Sequence, residues 1–138
     1  MERYIQWKIN REGNTLQKLL EKYPEKEWNW YHLSYNSYIT MDYINDHLDK
    51  PWNWKIVSRN RNINIHMIKR HLDKPWDWSY LSKMIDTKAI EANPELPWNW
   101  EVLSDSSFNV EFIELNTHKS WDWGKISRNK NITIEFIN

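Results

Sequence analysis

Apolar side chains recur along this chain in blocks. Each block has two tryptophans flanking one polar residue, an aliphatic residue three positions on, and further aliphatic positions before the next tryptophan pair. The pairs are Trp28/Trp30, Trp52/Trp54, Trp76/Trp78, Trp98/Trp100 and Trp121/Trp123, so the first tryptophan returns after 24, 24, 22 and 23 residues. A period of this length marks an array of small stacked units, none of which can bury its apolar face alone.

Each unit contains two helix starts. Asn29, Asn53, Asp77, Asn99 and Asp122 separate the paired tryptophans, and their side-chain oxygens can accept from the free N–H groups of a first helical turn. With these residues as N-caps, the first tryptophan precedes the cap and Leu33, Val57, Leu81, Leu103 or Ile126 stands four residues after it. That spacing is a hydrophobic staple. The second tryptophan then opens a helix of about two turns, and Ser34, Ser58, Ser82, Ser104 or Ser127 follows the staple residue. A second set of caps, Thr40, Asn64, Asp86, Asn109 and Thr133, is preceded by Ile39, Ile63, Ile85, Phe108 or Ile132 and followed four residues later by Ile44, Ile68, Ile90, Ile113 or Ile137. The second helix is expected to run through segments such as Ile44-Asn45-Asp46-His47-Leu48 and to stop near Pro51, Pro75 and Pro97, because the residue before proline is biased out of helix. All variation in length falls in the segments 35–39, 59–63, 83–85, 105–108 and 128–132, which read as surface loops. Before the first pair, Trp7, Thr15 and Leu19 fit the second tryptophan, the second cap and its staple partner, with Leu16, Leu20 and Tyr23 adding apolar surface. That stretch reads as a degenerate capping unit.

The pattern predicts an all-α fold, an α-solenoid of about six tandem helix-pair repeats of 22–24 residues, forming a single repeat domain over 1–138. Its units are a degenerate cap at 1–27, repeats at 28–51, 52–75, 76–97 and 98–120, and an incomplete repeat at 121–138. The unfinished last unit fits either a natural end or a fragment of a longer array.

Composition narrows the partners. Lys plus Arg and Asp plus Glu number 19 each, so no overall field draws the protein to nucleic acid or an anionic membrane. The chain has no cysteine, which excludes disulfides and thiolate metal sites and fits a reducing compartment. Neither a signal-peptide core at the N-terminus nor a run of about 20 apolar residues is present, so an intracellular protein without a membrane span is expected.

The recurring Lys-Pro-Trp-Asp-Trp-x-x-Leu-Ser, then x-Asn-x-Asn-Ile-Thr, then an Ile-containing helix ending Leu-Asp, resembles the tryptophan-rich repeat proteins encoded by large DNA viruses that infect amoebae. The segments 48–58, 72–82 and 127–137 match best, and looser copies extend from Trp7. Departures are Leu96-Pro97 for Lys-Pro, Ser120 and Glu27 in place of proline, and the shortened segment before Asp86. The resemblance implies a viral protein acting in the cytoplasm of an infected cell or in the virion. It carries no activity and no site residues.

Chemistry offers less. The five histidines, His32, His47, His66, His71 and His118, show no metal-binding spacing, and His47 and His71 fall at equivalent positions of neighbouring units. Paired carboxylates such as Glu91 and Glu95 have no accompanying nucleophile and base. No catalytic, cofactor or metal residues are expected, nor a small-molecule substrate. The tryptophans could line up as a stacking row for bases or sugars, but the staple pattern favours core, more for the first of each pair than for the second. The most suggestive polar feature is Ser58-Arg59-Asn60-Arg61-Asn62 with its echo Ser127-Arg128-Asn129-Lys130-Asn131. The residue after the serine reads Tyr35, Arg59, Lys83, Asp105, Arg128 along the array, and with Arg61 and Lys130 these are the candidate partner-binding residues. A one-base-per-repeat nucleic-acid reader would need a more uniform basic and aromatic row than Asp105 permits. The expected function is therefore a non-catalytic repeat scaffold for protein–protein interaction. The alternatives are a virion structural or self-assembling protein, with Ile134 and Ile137 at an open end, and, less favoured, a single-stranded nucleic-acid binder.

Overall fold

A computed structural model describes residues 14–129. Within that span the protein is all-α, with ten short helices and no strand. They are α1 Thr15–Lys22, α2 Trp30–Tyr35, α3 Met41–Asp46, α4 Trp54–Val57, α5 Ile65–Arg70, α6 Trp78–Met84, α7 Thr87–Ala92, α8 Trp100–Leu103, α9 Val110–Leu115 and α10 Trp123–Ile126. The chain divides into two compact units, Met1–Pro75 and Trp76–Asn138. The break falls at one of the repeat boundaries read from the sequence.

Every helix start is set by a side-chain cap. Asn29, Asn53, Asp77, Asn99 and Asp122 each accept from the backbone N–H three residues on, at 3.0–3.2 Å, so the second tryptophan opens the helix in all five units. Thr40, Asn64 and Asn109 cap α3, α5 and α9 in the same way. Asp86 bonds one residue closer, to Lys88 N–H at 2.9 Å. The staple positions beneath these caps are the core: Val57, Leu81, Leu103, Ile44, Ile68 and Ile90 are completely inaccessible to solvent. Thr133 and Ile137 lie outside the described residues, as does Trp7.

The first helix corrects the sequence reading. Asn14, not Thr15, caps α1 by accepting from Gln17 N–H at 3.2 Å, and Thr15 is the first helical residue. The buried apolar residue is Leu20, while Leu19 is exposed. Leu20 stands eight residues before Trp28, the distance separating Ile44 from Trp52, so α1 keeps the register of its C-terminal end and gains length at its start.

The second helices end earlier than proline requires. α3, α5, α7 and α9 stop six residues before the next tryptophan, and Leu48 lies in the following turn. The stop has a specific chemistry. The carbonyl of His47 accepts both Lys50 N–H at 3.1 Å and the indole Nε1–H of Trp52 at 2.8 Å. Asn93 is bonded in the same way by Leu96 and Trp98, and Asn116 by Lys119 and Trp121. The first tryptophan of each of these pairs thus satisfies a helix-terminal carbonyl while its ring enters the core, and Trp52, Trp76, Trp98 and Trp121 are all buried.

Neighbouring repeats are joined by the serine. Ser34 Oγ donates to the Trp30 carbonyl at 2.6 Å and accepts Asn53 N–H at 3.0 Å, so one hydroxyl ties a helix to the cap of the next unit. Ser82 makes the same bridge from Trp78 to Asn99, and Ser104 from Trp100 to Asp122. Tryptophans pack edge to face across these junctions, Trp30 on Trp52, Trp78 on Trp98 and Trp100 on Trp121, with ring centroids 4.9–5.3 Å apart. In each compact unit the first helices of successive repeats pack together, α2 on α4 and α6 on α8.

Candidate functional site

The second tryptophan is the residue to test first as a ligand platform. Trp30, Trp54 and Trp78 are half-buried and Trp100 is buried, whereas Trp123 is 47% exposed. Two of the five faces are also in use. Lys74 Nζ lies 5.3 Å from the Trp54 ring centre and Lys119 Nζ 5.3 Å from that of Trp100, each a cation over an aromatic face. Both lysines stand two residues before the next tryptophan, in Lys74-Pro75-Trp76 and Lys119-Ser120-Trp121. Leu96 takes that position in its repeat and is buried. The tryptophans therefore form junctions within each compact unit, and a continuous stacking row is not present among the described residues.

The segments after the serine are built differently. In the turn that follows α4 the asparagines face inward and the arginines outward. Asn60 is fully buried and its Nδ2 donates to the carbonyls of Ser34 and Asn36 at 3.0 and 3.2 Å. Asn62 Nδ2 donates to Ser37 and Ile39 carbonyls at 2.8 and 3.0 Å. From the other side Asn14 Nδ2 donates to the Tyr38 carbonyl, which also accepts Gln17 Nε2 at 3.0 Å. Asn36 Oδ1 takes Tyr38 N–H at 2.8 Å and closes the turn. Five carbonyls of the preceding repeat's connection, from Ser34 to Ile39, are thereby held by side-chain amides.

This scaffold carries a groove of about 370 Å³ lined by Tyr35, Asn36, Ser37, Tyr38, Arg59 and Arg61. A second groove, of about 220 Å³, occupies the corresponding place further along and is lined by Ser104, Asp105, Ser106, Ser107, Lys125, Arg128 and Asn129. There Asn129 Nδ2 reaches the Ser106 carbonyl at 3.4 Å, and Lys125 Nζ pairs with Asp105 at 3.3 Å. The two grooves share their construction and differ in charge. The first is lined by two guanidiniums and no carboxylate, and the second contains an internal ion pair.

The candidate residues are thus distributed as follows. Tyr35 meets Arg59 and Arg61 in the first groove, and Asp105 meets Arg128 in the second. Lys83 lines neither, and Lys130 lies outside the described residues. Two of the segments read as loops are partly helical. Tyr35 is the last residue of α2, and Lys83 and Met84 belong to α6. With three residues between Ser82 and Asp86 no separate turn fits, so the helix runs on until Ile85 N–H closes on the Leu81 carbonyl at 2.8 Å. Lining residues outside that candidate set are Asn36, Ser37 and Tyr38 in the first groove and Ser104, Ser106, Ser107, Lys125 and Asn129 in the second. The alternation of Arg and Asn in 59–62 was the available signal for which side chains turn inward.

No cluster of three or more histidine, aspartate or glutamate side chains able to hold a metal occurs among the described residues, and no helix there is long and apolar enough to cross a membrane. No protein-family model, curated protein or solved structure matches the chain.

Proposed function

We propose that this protein is a non-catalytic scaffold, an α-solenoid of about six repeats that binds a protein partner along the connections following each serine. The observation that carries this reading is the pairing of post-serine residues from successive repeats around preformed grooves, Tyr35 with Arg59 and Arg61, and Asp105 with Arg128. Rigid walls lower the ordering cost of binding, and tyrosine and arginine are the side chains enriched where proteins meet. The likeness to the tryptophan-rich repeat proteins of amoeba viruses supports an infected-cell setting, in the cytoplasm or the virion.

A photo-crosslinking residue at position 35 or 105, introduced into the protein in cells, tests this. Discrete adducts to one protein from both positions, and none from Glu114 on the exposed side of α9, are expected. No adduct from either groove position refutes the reading. The exposure of Trp123 and Leu115, at 47% and 77%, favours self-association as the second reading. In light scattering, mass that rises with concentration and falls back on Trp123→Ser would support it.

A further inference from the structure

We propose that the first groove receives a proline-rich segment of a protein partner in the polyproline II conformation. The rings of Tyr35 and Tyr38 pack on its prolines, and their hydroxyls, with the Asn36 amide, donate to its carbonyls. This rests on the scaffold reading and names the partner's chemistry. Three observations carry it.

The first is that the aromatics are surplus to the fold. Tyr31, Tyr35 and Tyr38 are 55%, 61% and 38% exposed, and Tyr31 and Tyr35 stand four residues apart on one face of α2. Later repeats do without them. Lys55, Arg59 and Asn62 hold these places in the next repeat, and Glu101, Asp105 and Ser107 in the fourth. The first helices of those repeats, α4 and α8, form all the same from an asparagine cap and a buried aliphatic residue. Three exposed tyrosines confined to one repeat thus answer no demand of the repeat itself. Tyrosine offers a partner a large contact area with few rotatable bonds, and aromatic-lined grooves are where proline-rich segments dock.

The second is the balance of donors and acceptors. The carbonyls of Ser34, Asn36, Ser37, Tyr38 and Ile39 already accept side-chain amides of Asn14, Gln17, Asn60 and Asn62, and Asn36 Oδ1 accepts Tyr38 N–H. The Tyr35 and Tyr38 hydroxyls and Asn36 Nδ2 make no hydrogen bond among the described residues. What this wall has left to give is donors. A polyproline II backbone makes no internal hydrogen bonds and leaves its carbonyls open, and proline brings no N–H in search of an acceptor. A peptide added as a β-strand would need acceptors as well as donors. Arg59 and Arg61 complete the lining and each has an interaction of its own. An uncharged ligand asks nothing of their guanidiniums.

The third is rigidity and size. The side-chain amides fix the connection bearing Tyr38, and the turn after α4 is closed by Asn60 N–H to Val57 and Ile63 N–H to Asn60, each at 2.9 Å. The groove is set before a ligand arrives, and a polyproline II segment is itself stiff, so little order is lost on either side. A volume of about 370 Å³ falls at the lower end of the roughly 300–1,000 Å³ of small-ligand sites, the scale of a few side chains. Single-stranded nucleic acid would also stack on tyrosine, but it needs a basic track with stacking residues at successive sites. The second groove has no aromatic lining and carries Asp105.

Fluorescence anisotropy of the full chain with dye-labelled octaproline, an octapeptide of alternating glycine and serine, and octathymidylate tests the proposal. Octaproline should bind, with an affinity that added salt leaves unchanged. Tyr35→Ser and Tyr38→Ser should each lose about tenfold, the equivalent of one aromatic contact and its hydrogen bond. Tyr35→Phe and Tyr38→Phe keep the ring and the fold, and should each lose about threefold. Met84→Ser, at the place of Tyr38 in the third repeat and 61% exposed, should leave binding unchanged. Octaproline binding no tighter than the glycine–serine peptide overturns the proposal, as does an unchanged affinity in both serine variants. Tighter binding of octathymidylate that is lost in the same variants overturns it in favour of nucleic acid. Crosslinks from positions 35 and 105 in cells alongside a failed octaproline titration would remove the proline-rich ligand and leave the scaffold standing.

Discussion

Tyr43 lies face to face with His47, ring centroids 3.9 Å apart, while His47 Nδ1 donates to the Tyr43 carbonyl at 2.7 Å and its Nε2 sits 3.7 Å from Glu21. Burial of the phenol, reinforced by the Glu21 carboxylate, raises the pKa of Tyr43 above its ordinary value. The sign follows from linkage: the unfolded chain surrenders this proton first, so the stability tied to the neutral phenol is intact below about pH 10 and is lost as pH rises through the folded-state value. Urea unfolding between about pH 8 and pH 11 should therefore show the parent losing more stability than Tyr43→Phe; parallel curves would contradict the assignment. The same residues explain a repetition that sequence could only register. His47 and His71 are helix C-caps, and His71 Nε2 lies 2.8 Å from Asn45 Oδ1, which occupies in its repeat the place Glu21 occupies in its own. Asn93 and Asn116 fill that cap in later repeats, donating from Nδ2 to the carbonyl four residues back. The histidines recur for the geometry of the cap.

Elements here are too short to stand on their own propensity. A helix of four to eight residues is far below the length at which helices persist alone in water, so caps and cross-repeat bonds decide where each begins and ends. The caps were legible, because Asn, Asp and Thr before an apolar residue have few other uses. The stops were not. Proline suggested them, but they are made by the indole N–H of the tryptophan five residues on, a side-chain bond that hydrophobic periodicity does not encode. The slip at α1 has a related cause, since Asn14 is selected by its reach to both Gln17 and the Tyr38 carbonyl. The connections between elements are held by Asn60, whose fully buried amide satisfies two carbonyls. Asn60→Ala should cost about 1–3 kcal/mol by leaving them without that donor. Hydrogen exchange should then quicken at the Tyr38 and Ile39 amides while the Ile44 amide, bonded to Thr40, keeps its protection. Unaltered protection at Tyr38 would show that the groove wall is held by other contacts.

At the scale of the whole molecule, two kinds of position divide the work. Junction positions recur almost unchanged, with a tryptophan, a cap and a serine in each repeat; Trp52, Trp76, Trp98 and Trp121 are buried with Ser34, Ser58, Ser82 and Ser104, and serine hydroxyls bond the caps. Post-serine positions change from Tyr35 to Arg59, Lys83, Asp105 and Arg128, and four of these five line grooves. Periodicity made the first kind readable, because a repeated physical demand leaves a repeated residue. The second kind could be located but not interpreted from sequence, since a groove needs two connections brought together and their meeting depends on the inward asparagines. The account stands on the tryptophans being structural. Equilibrium urea unfolding of Trp98→Ala and Trp123→Ala tests that most directly. Trp98 is 4% exposed, bonded to the Asn93 carbonyl and packed on Trp78, so its loss should cost about 3–5 kcal/mol. Trp123, 47% exposed, should cost clearly less. Equal and small losses for the two would contradict the claim that the tryptophan pairs hold the repeats together.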